Sequence, residues 1–226
     1  MEKINNFIHL LNVPWTGLGK FDGFRGNTWL KNRIKIFKTF VIINLQQQTN
    51  KNFVLWCSWR REENNNLYVK ELIDYLNEIK EFKTIHTFTG VCMYDDKYED
   101  SVARERLLSS LHGAMPDLIN EIGEVEDVIM TIQPSDDIYS IRAVEAIQNA
   151  FIKYPHFQAV GFTKGFIMNY ITGEVDNYDP TTNPPFYSIK FSRKDFTEPL
   201  KHYQYTSLKT DMGKYKKGTA LPSHEY

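Results

Sequence analysis

Short, continuously apolar runs alternate along this chain with segments whose apolar residues recur at helical spacing, and this alternation limits the fold more than any single motif. The run Phe7 to Val13, closed by Pro14, predicts a buried strand that ends at a loop. Gly17, Gly19, Gly23 and Gly26 then punctuate the segment Trp15 to Gly26, where backbone amides can approach a ligand closely, although the spacing is neither that of a Walker loop nor that of a dinucleotide fingerprint. Asn27 or Thr28 can cap a helix in which Leu30, Ile34, Phe37, Val41 and Leu45 recur at helical intervals, with Ile36, Phe40 and Ile43 widening the stripe. The helix leaves through Gln46-Gln47-Gln48-Thr49-Asn50. Phe53 to Trp59 then reads as a strand apolar on both faces, as in a parallel sheet covered on both sides.

The pattern repeats. Val69, Leu72, Ile73, Leu76 and Ile79 form a helical stripe, and Thr84 to Val91 is rich in β-branched and aromatic residues. Helices are expected over Ser101 to His112 and from Pro116 through Ile122, with a fourth strand over Asp127 to Gln133. Ser135-Asp136-Asp137 leads into a helix carrying Ile141, Val144, Ile147 and Phe151, which ends before Tyr154-Pro155. This grammar predicts an α/β fold with a mostly parallel, Rossmann-like central sheet, right-handed crossovers and flanking helices. From Ala159 the chain becomes β-rich: Ala159 to Asn169 and Glu174 to Tyr178 flank Ile171-Thr172-Gly173 as a hairpin, and Phe186 to Phe191 is a further extended piece. A single domain over residues 1–226 is expected, an α/β half (1–155) and a β-rich half (156–226) sharing one core.

Charge excludes one class of partner. Lys and Arg number 27 against 28 Asp and Glu, a net charge of −1, so the chain lacks the positive field of a nucleic-acid binder. Its 2 cysteines, Cys57 and Cys92, lie in apolar runs and are too few for a disulfide framework or a structural zinc site, which points to a reducing compartment. No apolar stretch approaches the roughly 18 to 20 residues of a spanning helix, and Met-Glu-Lys-Ile-Asn-Asn does not open a signal peptide, so a soluble cytoplasmic protein is expected. Nothing in the pattern sets an oligomeric state.

In an open parallel sheet ligands bind beyond the carboxyl ends of the strands. The loops there are the glycine-rich segment, Arg60-Arg61-Glu62, Tyr94-Asp95-Asp96 and Pro134-Ser135-Asp136-Asp137. The adjacent carboxylates of the last can hold a hard divalent cation through oxygen, and such a cation can bridge to a diphosphate. The alternative is that Ser135 or Asp137 caps the next helix, with acidic residues favoured by the helix dipole. Asp95-Asp96 is a second acidic pair with no evident role. Trp15, Trp59 and Tyr139 are candidates for stacking on a base or sugar, with core packing as the alternative.

The order of several segments carries a resemblance. A buried helix followed by Gln46-Gln47-Gln48-Thr49 and the strand Phe53-Val54-Leu55-Trp56-Cys57, then Ala103-Arg104-Glu105-Arg106, then Thr131 to Asp137, and finally Leu221-Pro222-Ser223-His224-Glu225-Tyr226, resembles nucleotide-sugar glycosyltransferases of the GT-A fold. Within that fold, Asn12 to Pro14, Gly23 to Arg25 and Trp29 to Arg33 are similar to a stretch in bacterial proteins labelled rhamnosyltransferases. The resemblance implies metal-dependent, inverting transfer of a sugar from a nucleoside diphosphate sugar to a hydroxyl of a glycan, lipid-linked or surface polysaccharide acceptor, with Mn2+ or Mg2+ as cofactor. It implies Asp136, Asp137 and His224 as metal ligands, Glu225 as general base with Asp211 as competitor, Arg33 and Arg104 on the diphosphate, Asp137 on metal-bound water or sugar hydroxyls, and main-chain contacts to the nucleotide from Pro14 to Gly19, Gly17 among them. The chain departs from the pattern at Pro134, where many relatives have a first Asp, and at Ser58-Trp59-Arg60-Arg61, where they have an Asp for the base or ribose. It also stops at Tyr226, directly after the implied base, as a compact member or a shortened chain would. Two other classes fit parts of the pattern: a non-catalytic module binding nucleotide sugars or glycans, and a metal-dependent nucleotidyltransferase or phosphohydrolase, which the absence of a Gly-x-x-x-x-Gly-Lys context argues against.

Overall fold

The apolar runs form a parallel sheet. In the computed structural model, which describes residues 6–15, 27–90, 112–162, 164–178, 187–198 and 219–221, strands β1 (Phe7–Pro14), β2 (Val54–Arg60), β3 (Lys83–Gly90) and β4 (Asp127–Ile132) run parallel in the order β3-β2-β1-β4. β1 is central, with Leu10 opposite Val54 on one side and Met130 on the other. Beyond β4 the sheet takes strands from the second half of the chain. β5 (Ala159–Phe162), β8 (Tyr187–Ser192) and β9 (Thr219–Leu221) complete a 7-stranded sheet ordered β3-β2-β1-β4-β8-β5-β9, in which β8 alone runs antiparallel to the rest. The expected hairpin exists as a separate two-stranded sheet, β6 (Gly165–Met168) on β7 (Val175–Tyr178), while the first part of the segment expected as its leading strand joins the main sheet as β5.

Helices cover both faces, which is why the strands read as continuously apolar. Leu11, Val13, Leu55 and Cys57 face one layer, built by α1 (Asn27–Ile36), α2 (Ile43–Gln47) and α3 (Leu67–Glu78). The neighbouring strand residues Leu10, Trp56 and Val128 face the other layer, with Met115, Leu118 and Ile122 of α4 (helical over 112–122) and Phe196 of α6 (Arg193–Thr197). This opposition of adjacent residues is the two-residue period of a strand. Ile147 and Phe151 of α5 (Ala143–Lys153) pack on Ile129 and Val160.

Three expectations change. A π-helical turn, Phe37–Ile42, separates α1 from α2. A π turn holds more residues than an α turn, so the buried stripe passes from Val41 to Ile42 and Leu45, and Ile43, counted into the stripe from the sequence, is 46% exposed. Pro116 does not open a helix, because α4 already covers 112–115. α5 starts at Ala143, so Ile141 lies before it and is exposed. The expected helical segment 101–111, and Cys92, lie outside the described residues.

One polar chain crosses this apolar interior. His9 on β1 is buried, and its Nδ1 accepts a hydrogen bond from Gln148 Nε2 of α5 at 3.2 Å. That assignment leaves Nε2–H to donate to Thr131 Oγ1 at 2.8 Å, and Thr131 in turn shares a hydrogen bond with Ser188 of β8. Burial lowers the His9 pKa to about 3, so the ring is neutral. Burial likewise pushes the Cys57 thiol up to about 12, which makes it an inert core residue. Among the described residues, no helix is long and apolar enough to cross a membrane.

Candidate functional site

The strand order creates the crevice. The crossovers from β1 to β2 and from β2 to β3 build outward on one side of β1, while the return from β3 places β4 on the other, so consecutive connections diverge at the carboxyl ends of β1 and β4. The loop after β1 opens with Pro14 and Trp15, and the loop after β4 spans 133–142. Trp15 N–H donates to Ser58 O at 2.8 Å, and Gln133 N–H donates to Asn12 O at 2.8 Å, so both loops begin anchored to neighbouring strands. Asn12, mostly buried between them, donates through Nδ2 to Trp56 O and Ser58 Oγ, each at 3.2 Å.

Side-chain amides lace the loop after β4. Gln133 is fully buried, and its Nε2 donates to the carbonyls of Pro134 at 2.8 Å and Asp137 at 2.7 Å, folding beneath the turn. Asn44 Nδ2 donates to Tyr139 O at 2.8 Å while its Oδ1 accepts Tyr139 N–H at 3.2 Å. Gln48 repeats this device one turn later, donating to Ser140 O at 2.8 Å and accepting Val144 N–H at 3.2 Å. Tyr139, held protonated by burial and by the charge of Asp137, donates its hydroxyl to Ile132 O at 2.7 Å. We expect Gln48→Leu to cost about 1–3 kcal/mol in urea unfolding, since it strips partners from a backbone N–H and a carbonyl at once. A change below about 0.5 kcal/mol would show the lacing to be dispensable.

The acidic pair caps no helix. α5 begins at Ala143 with Arg142 at its N-cap, so Ser135, Asp136 and Asp137 all stand clear of the helix start and the capping alternative falls. Asp136 is 45% exposed and forms an ion pair with Nη1 of Arg33 on α1. The Arg33 guanidinium lies 5.4 Å from the Trp29 ring centroid. Burial, and then the neighbouring charge of Asp136, hold the Asp137 carboxyl above its ordinary range, while Arg33 pulls it back. One carboxyl is thus exposed and paired while the other is half-buried, its pKa raised chiefly by that burial. The Arg33–Asp136 pair joins the helix that follows the β1 loop to the loop that follows β4.

Of the other expected site residues, Pro14 ends β1 opposite Ser58. Gly17, Arg104, Asp211, His224 and Glu225 lie outside the described residues, as does Asp95-Asp96. The aromatic candidates take the core alternative: Trp15 is 1% exposed and stacks on Trp59 with centroids 4.6 Å apart, edge-on to Phe37 at 5.1 Å, and Tyr139 is buried. Of the donors expected for a divalent cation, the described residues hold Asp136 and Asp137. Pro134 supplies no ligand, Asp136 already contacts a guanidinium, and among the described residues no group of three His, Cys, Asp or Glu side chains could hold a metal. The third expected ligand, His224, lies outside the described residues. Asn44, Gln48 and Gln133 were not legible as site residues. Gln48 and Gln133 stand within segments that carry the resemblance, but nothing there marks their amides as holding the loop, and Asn44 shows only as an amide between Ile43 and Leu45.

No protein family matches the chain, and no curated protein matches it in sequence. Among solved structures 28 chains match. One is the crystal structure of a chain from Desulfovibrio desulfuricans G20, provisionally named a nucleotide-diphospho-sugar transferase, with a TM-score of 0.44 and 15% identity over 97% of this chain and 80% of that one.

Proposed function

We propose that this chain is a glycosyltransferase that binds a nucleoside diphosphate sugar in the β1/β4 crevice and passes the sugar to an acceptor hydroxyl. The observation that carries the reading is the pair Asp136-Asp137, held by laced backbone at the switch point, free of any capping duty and joined to Arg33. The ordered resemblance of Gln46 to Thr49, Ala103 to Arg106, Thr131 to Asp137 and Leu221 to Tyr226 to nucleotide-sugar enzymes supports the same assignment. Main-chain groups of Pro14 to Gly19 take the nucleotide. Asp137 accepts a hydrogen bond from a sugar hydroxyl, and Arg33, with Arg104, takes the diphosphate.

The reaction is one in-line displacement with inversion. The acceptor oxygen forms a bond to the anomeric carbon as the bond to the diphosphate oxygen breaks, and the acceptor proton passes to a carboxylate, Glu225 or its competitor Asp211. The acceptor is a carbohydrate or lipid-linked hydroxyl. Release of nucleoside diphosphate from a panel of nucleotide sugars tests the reading. We expect one donor to turn over and Asp137→Ala to lower its turnover at least about ten-fold, a loss of about 1.4 kcal/mol. A wild-type protein that binds a donor without turning it over would favour the second reading, a non-catalytic module of the same fold, which the Pro134 substitution supports.

A further inference from the structure

We infer that Arg33, and not a divalent cation, supplies the positive charge that holds the donor diphosphate in this crevice; the inference rests on the function proposed above. Arg33 occupies the place at which a cation would meet Asp136, since its Nη1 already contacts that carboxylate. With Pro134 beside it in place of a further acid, the loop offers the carboxyls of Asp136 and Asp137, and Arg33 of α1 balances the charge of Asp136 without a metal. A hard cation entering here would face the guanidinium at close range and would have to displace it first.

The geometry suits the alternative. Only Nη1 of Arg33 is engaged by Asp136 among the described residues, which leaves Nε–H and the Nη2 edge of the fork for two diphosphate oxygens. The guanidinium is oriented before any ligand arrives: its side chain is 23% exposed, it lies over Trp29, and α1 fixes its origin. Asp136 is then the positioning residue that aims Arg33. A planar, permanently charged fork takes two phosphate oxygens at once, and the larger negative charge of a diphosphate strengthens the attraction over that of a monophosphate.

Titration of UDP, GDP, TDP and CDP, and of the matching monophosphates, into the protein decides the matter when run with a chelator and again with manganese. The inference expects one diphosphate to bind with the same affinity under both conditions, more tightly than its monophosphate. Arg33→Ala and Arg33→Gln should each weaken that diphosphate by about 10- to 100-fold without lowering the melting temperature, and Arg33→Lys should recover part of the loss. Having two neutral variants keeps the result readable if one folds poorly. Binding that requires manganese and is unchanged in both neutral variants overturns the inference while leaving the proposed function standing. If the wild type binds no nucleotide under either condition, the proposed function fails, and this inference fails with it.

Discussion

Trp59→Ala is expected to destabilise the protein by about 3–5 kcal/mol, the range for truncating a buried aromatic side chain. Trp59 is fully buried on β2, stacks on Trp15 and lies 6.4 Å from Phe88. Its Nε1 also donates to His86 Nδ1 at 3.2 Å, so truncation opens a cavity and removes a hydrogen bond in one step. The damage reaches the crevice as well, because Trp15 opens the loop after β1 and loses the ring on which it stacks. Urea unfolding should show the shift directly. Leu67→Ala serves as the control: Leu67 is 73% exposed, and its loss should stay within about 0.5 kcal/mol. A Trp59 variant as stable as that control would contradict the packing described for this layer.

Mild acid is expected to destabilise the fold steeply through His9 and His86. Burial lowers the pKa of His9 to about 3 and of His86 to about 4, against about 6.5 for an unfolded histidine. Between these values the unfolded chain binds protons that the folded chain refuses. The stabilisation is therefore complete above about pH 6.5 and is lost as pH falls toward 4 and then 3. Each group contributes a slope of up to about 1.4 kcal/mol per pH unit within its window, so the pair removes several kcal/mol by about pH 4.5. His86→Gln should roughly halve the slope. Equal stability at pH 7 and pH 4.5 would mean that the polar chain through His9, Thr131 and Ser188 is not closed to protons as the geometry requires.

The parallel sheet was legible because its cause is local: four apolar runs separated by amphipathic stripes can bury themselves only between two helical layers. The observed bounds of β1 to β4 fall within one residue of those runs. What escaped was decided at long range. The π turn after Ile36 leaves the stripe Leu30, Ile34, Phe37, Val41 and Leu45 buried but buries Ile42 and turns Ile43 outward, without any Gly or Pro to announce it. The start of α5 was misplaced because the loop before it is held by Asn44 and Gln48, whose partners lie 92 to 96 positions away and leave no mark on the local pattern. The acidic pair was visible as two carboxylates at a strand end, and Arg33 entered only through the resemblance, with nothing in the local pattern to join it to Asp136. Only the fold shows that Arg33 of α1 crosses to the loop of another strand.

The central claim is that a nucleoside diphosphate occupies the crevice between the ends of β1 and β4. Backbone and arginine side-chain NMR shifts during titration with UDP, GDP, TDP and CDP test it most directly. The account predicts that one nucleotide shifts Val13, Trp15, Asp136, Asp137 and the Arg33 Nε–H together, and that Asp136→Ala weakens this response. Shifts confined to another surface, such as the β6–β7 hairpin, or no response to any of the four, would contradict it.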